Sequence, residues 1–88
     1  MRIKEGYFLY ESSGNNIVFF KRKGGRDAKG VLRLNSSGVL LWRMLVDGTS
    51  AVALAERLRD EFGLSPERAT QDTKSFLTSL ISAGVVEN

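Results

Sequence analysis

The chain has 88 residues, 42% hydrophobic and 26% charged, with nine Gly, one Pro and a net charge of +3. That is the make-up of one ordinary globular domain, residues 1–88, and not of a disordered tail or a fibre; a chain of this size buries only roughly 60 to 65% of its unfolded surface and has little room for a deep ligand cavity. Cys and His are both absent, which removes disulfides, thiolate nucleophiles, the usual general base and the commonest zinc ligands; the sequence reads as a binding protein with no catalytic residue, cofactor or metal.

Residues Ile3 to Tyr10 are rich in β-branched and aromatic types. The turn cluster Ser12-Ser13-Gly14-Asn15-Asn16 leads into a second such run, Ile17-Val18-Phe19-Phe20, and the two predict a hairpin. A Gly/Lys/Arg loop follows, then a third run, Gly30-Val31-Leu32-Arg33-Leu34, with Val31 and Arg33 on one face and Leu32 and Leu34 on the other. So few strands need a covering layer, so helices must pack on them.

The period then changes. Asn35-Ser36-Ser37-Gly38 offers N-cap candidates, with Ser36 and Ser37 read as caps, before a short apolar helix ending near Asp47-Gly48. Trp42 on that helix is read as a core anchor. Thr49 or Ser50 caps a second helix, whose apolar positions Val52, Leu54, Ala55, Leu58 and Phe62 recur at three- and four-residue steps until Gly63. Ser65-Pro66-Glu67 opens a third helix with a cap, a first-turn Pro and an acidic residue. Its stripe is Ala69, Thr73, Phe76, Leu77, Leu80 and Ile81, and Gly84 closes it before Val85-Val86, a tail able to pack back on the core. The predicted class is α+β, in the order β-β-β-α-α-α.

On the third helix, about 100° per residue gathers Arg68, Asp72, Ser75 and Ser79 on one flank of the apolar stripe. If that helix crosses beside the third strand, flank and strand edge form a groove where an extended peptide can add as a further strand. A solvated helix shoulder is the plainer alternative. Charge is also uneven: residues 1–33 carry eight Lys/Arg against three acids, net +5, and residues 34–88 five against seven, net −2. A basic half attracts nucleic acid, an anionic membrane or an acidic peptide alike. Lys21 to Gly30 is first of all a solvated hairpin loop.

The run Leu34-Asn35-Ser36-Ser37-Gly38-Val39-Leu40-Leu41-Trp42, the segment Leu58 to Ala69, and Asp72, Phe76-Leu77, Leu80 and Ala83-Gly84-Val85-Val86 together resemble the PqqD-like family. Its members are peptide chaperones of pyrroloquinoline quinone biosynthesis and the related recognition elements for ribosomally made, post-translationally modified peptides. The resemblance covers residues 31–88 well and residues 1–30 in outline. It implies a winged helix-turn-helix-like domain that binds a precursor's leader segment by strand addition between the third strand and the third helix. Carried over by position, it points to Val31, Leu32, Arg33 and Leu34 on the strand and to Arg68, Asp72 and Phe76 on the helix. It also implies a separate maturation enzyme as partner: a leader peptidase, as in lasso-peptide biosynthesis, or a radical enzyme.

The competing reading is a winged-helix DNA-binding protein, which the basic charge suits. Against it, Pro66 to Ala83 carries Arg68 and Lys74 against Glu67 and Asp72, no net charge where phosphate contacts require a basic surface. No apolar run approaches the roughly 18 residues of a membrane span, and Met1-Arg2-Ile3-Lys4-Glu5 is not an apolar signal region, so a cytosolic location is expected. Exposed strand edges permit a dimer without requiring one.

Overall fold

The computed structural model describes all residues, Met1–Asn88. The elements are β1 (Arg2–Ile3), β2 (Tyr7–Ser12), β3 (Asn15–Lys21), β4 (Ala28–Leu34), α1 (Ser36–Asp47), α2 (Ala51–Phe62), α3 (Pro66–Ser82) and β5 (Val86–Glu87). Strands β2, β3 and β4 form an antiparallel sheet in that order, and the three helices follow it, an α+β fold. No helix is long and apolar enough to cross a membrane.

The first apolar run is not one strand. It breaks at Gly6, whose φ of +97° favours glycine, and a Cβ there would fall 2.7 Å from Cε1 of Phe20. Gly6 instead uses its carbonyl to accept from the Lys21 amide at 2.9 Å, so the chain changes direction beside the end of β3. Ile3 therefore leaves the main sheet and pairs with Val86, while Arg2 pairs with Glu87, in a separate antiparallel ribbon of β1 and β5. The C-terminal tail packs back as its apolar character predicts: Val85 is fully buried, and its carbonyl accepts from the Lys4 amide at 2.8 Å.

The β2–β3 hairpin closes through Ser13 and Gly14, both at positive φ (39° and 87°), between the paired residues Ser12 and Asn15. Two consecutive positive φ values give the turn a twist that matches right-twisted strands, and Gly meets that demand without steric cost.

Each helix starts on a side-chain cap. Ser50 accepts from the Ala53 amide at 3.1 Å, and Ser65, ahead of Pro66, from the Arg68 amide at 3.2 Å. For α1 the cap is Asn35 and not Ser36 or Ser37. Asn35 is the residue in extended conformation where β4 ends, and its Oδ1 accepts from the Gly38 amide at 2.8 Å and from the Ser37 hydroxyl at 2.9 Å. Ser36 is already helical, so it cannot hold the half-in, half-out position that a cap requires.

The core joins Val18 and Leu34 of the sheet to Trp42 and Leu45 of α1, Leu54 and Leu58 of α2 and Leu77 and Leu80 of α3. Trp42 is 3% exposed and anchors α1 as expected. Three stripe positions are not core: Val52, Phe62 and Ile81 are 68%, 45% and 62% exposed. Each lies within two residues of a helix end, and Val52 and Ile81 border the open groove between α2 and α3.

Candidate functional site

Strand β4 pairs with β3 on one edge and with nothing on the other. Its register slips between Val18 and Phe19: Val18 faces Leu32, but Phe19 faces Gly30, which leaves Val31 unpaired in a bulge. Such a bulge bends the strand and sharpens its twist. Beyond it, Leu32 is half-buried and Leu34 buried on the core face, and Asn35 then turns the chain into α1. A Cβ on Gly38 would meet Leu34 Cβ at 3.3 Å and Asn35 Oδ1 at 3.2 Å, so a residue without a side chain keeps the corner between strand and helix close.

Helix α3 runs across from this free edge, and a cleft of about 380 Å³ lies between them. Leu32, Arg33 and Leu34 form the strand wall; Arg68, Asp72, Ser75, Phe76 and Ser79 form the helix wall. All four residues of the polar flank therefore line one space, and so do six of the seven residues singled out from the sequence. Val31, in the bulge, does not. Residues not anticipated are Asn35, Ser37 and Gly38 at the α1 end and Leu41 and Leu58 on the floor. The α1 residues had a signal, since a cap immediately after a strand must bring the helix start beside that strand's end. Leu58 had none beyond its core periodicity, and Leu41 none beyond its place in an apolar run.

The helix wall is organised by two i,i+4 contacts. Arg68 Nε donates to Asp72 Oδ1 and Oδ2 at 3.1 and 3.0 Å, with the two side chains 64% and 40% exposed. The Ser79 hydroxyl donates to the Ser75 carbonyl at 3.2 Å. Arg33, at the rim of the strand wall, makes no ion pair. The cleft thus presents a strand edge with unpaired backbone groups, apolar steps at Leu32 and Phe76, and an exposed ion pair whose partners can be exchanged at small cost. These are the means of holding an extended chain. A second groove, of about 450 Å³, runs between α2 and α3 past Val52, Ala55, Ala69 and Ile81; it is more apolar but has no strand edge along it.

Residues 16–86 match the family model described as "Coenzyme PQQ synthesis protein D (PqqD)". No curated protein is significantly similar in sequence. Among solved structures, the chain is similar to "Lasso peptide synthetase B1 complexed with the leader peptide", with a TM-score of 0.74 and 22% identity over 99% of this chain and 96% of that one. It is likewise similar to "TbiB1 in Complex with the TbiA(beta) Leader Peptide", with a TM-score of 0.76 and 17% identity over 100% and 96%. At these identities the likeness is one of fold.

Proposed function

The chain belongs to the PqqD family, and we propose that it binds the leader segment of a ribosomally made precursor peptide in the β4–α3 cleft and hands it to a separate maturation enzyme. The observation that carries this reading is the free edge of β4 facing α3 across that cleft. An extended leader adds to the edge as a further antiparallel or parallel strand, and main-chain hydrogen bonds supply affinity that is largely independent of leader sequence. Selection comes from the walls: apolar leader side chains fill the steps at Leu32, Leu34 and Phe76, while Arg33, Arg68 and Asp72 sort charges.

The domain makes and breaks no bonds of its own in this scheme. It acts in the cytosol by raising the effective concentration of the precursor near the enzyme. Two solved chains of similar fold hold leader peptides, one of them a lasso peptide synthetase B1, which supports a lasso-type pathway with a leader peptidase over a radical-enzyme pathway. The DNA-binding alternative has no comparable support, because Arg68, one of the two cations of α3, is engaged by Asp72.

The test is fluorescence anisotropy with a labelled leader peptide, with random duplex DNA as the comparison, at two salt concentrations. Micromolar or tighter peptide binding that tolerates salt is the expected result. DNA binding that collapses with salt, without peptide binding, would overturn the reading, since phosphate contacts release counterions and strand addition does not.

A further inference from the structure

The sheet has a second exposed face that the cleft does not use. Alternation along β2 and β3 puts Tyr7, Leu9, Val18 and Phe20 toward the helices and Phe8, Tyr10, Ile17 and Phe19 on the opposite side. Phe8 stacks on Phe19 with ring centroids 5.7 Å apart and planes 20° from parallel, and Tyr10 meets Phe19 edge-on at 6.5 Å. Phe8 is nonetheless 41% exposed and Tyr10 58%. A contiguous aromatic patch open to water is uncommon on a small monomer unless something covers it.

Beside this patch the β3–β4 hairpin carries Lys21, Arg22, Lys23 and Arg26. None of the four forms an ion pair, and Asp27 is the one acid beside them in the hairpin. An aromatic centre with free cations at its margin matches the composition of protein–protein contact surfaces.

We infer that this outer sheet face and the basic hairpin are the docking surface for the maturation enzyme, and that they recognise an enzyme patch with an apolar centre and an acidic rim. The inference rests on the leader-binding reading above and adds the place where the enzyme attaches. Charge complementarity selects an acidic partner. Phe8 and Phe19 pack on each other and Tyr10 stands edge-on to Phe19, so the rings form one continuous apolar surface of the kind that protein side chains cover. The cleft lies at the β4 edge and on the helix side of the sheet, so leader and enzyme bind at once without competing.

The experiment titrates the purified enzyme that processes the same precursor onto the labelled domain, with leader binding measured in parallel. Two double variants are compared with the wild type: Phe8→Ala with Tyr10→Ala, and Lys23→Glu with Arg26→Glu, the second confined to an exposed hairpin and harmless to the core. Each is expected to weaken enzyme docking at least about tenfold, the scale of losing one interface anchor, while leader affinity is unchanged. Wild-type docking by both folded variants overturns the inference. So does leader binding without enzyme docking by the wild type, which leaves the cleft reading intact. Docking that is lost in the variants although the wild type binds no leader upholds the surface and removes the cleft reading instead. Binding of duplex DNA or of anionic phosphatidylserine vesicles that the same substitutions abolish, with enzyme docking untouched, also overturns it.

Discussion

Arg68 and Asp72 grip each other one turn apart on α3, guanidinium Nε to both carboxylate oxygens at 3.1 and 3.0 Å, while both line the cleft beside β4. An exposed pair of this kind contributes only about 0.3 to 0.5 kcal/mol to folding. Changing Arg68→Ala or Asp72→Ala is therefore expected to move Tm by no more than about 4 °C. Leader affinity should fall by about tenfold, the scale of one charge-assisted hydrogen bond. Anisotropy titration beside a thermal melt reads both quantities, and a folded double variant with unchanged affinity would remove these residues from the binding role.

Strand addition can be tested on the peptide without touching the protein. Backbone N-methylation of successive leader residues should weaken binding at every second position only, because alternate amides of an added strand point toward β4. Each sensitive position should lose about five- to tenfold, one hydrogen bond's worth. A flat profile along the leader would mean that the peptide is held by its side chains and not by the edge.

Much of this arrangement was legible before the fold was known, and the reasons differ by element. The caps at Ser50 and Ser65, the Trp42 anchor and the flank of Arg68, Asp72, Ser75 and Ser79 follow from local periodicity, which the chain carries in short windows. The break at Gly6 was not legible, since nothing local distinguishes a glycine at positive φ from one tolerated within a strand. The β1–β5 ribbon was hidden for a related reason: two-residue strands have no period to read. Val52, Phe62 and Ile81 fit the apolar spacing but sit near helix ends, Val52 and Ile81 beside an open groove, and spacing does not reveal how closely a neighbouring element packs. Leu58, at the cleft floor, reads as a core residue because it is one that an opening happens to touch, whereas Leu41 lies in an unbroken apolar run where spacing does not set it apart.

Asn35 joins two roles, closing β4 and capping α1 through its Oδ1. Asn35→Ala should cost about 1 kcal/mol, the usual loss for a removed N-cap, and lower Tm by about 4 to 8 °C. Asn35→Asp and Asn35→Ser should restore most of it, since both side chains can accept from the Gly38 amide. Differential scanning calorimetry of the three variants checks the order; equal destabilisation by all of them would show that the cap bond is not what matters.

Thr73 is 3% exposed, and its hydroxyl finds no hydrogen-bond partner. An orphaned buried polar atom costs about 1 to 3 kcal/mol. Thr73→Val keeps the branched shape and removes the orphan, so it should raise the urea midpoint by about 1 M at the m-value of a small domain. A lowered midpoint would contradict the view that the hydroxyl is unpaired in solution.

Arg2 stands opposite Glu87 in a ribbon only two residues long on each side, and none of its residues lines the cleft. Tension applied at both ends of the chain would open that ribbon like a zipper, one rung after another, and would not shear it. Under that load the ribbon's two rungs are taken one at a time, not together. A pull on tethers fused to Met1 and Asn88 would be absorbed there first, leaving the strand edge and α3 in register while a peptide lies between them.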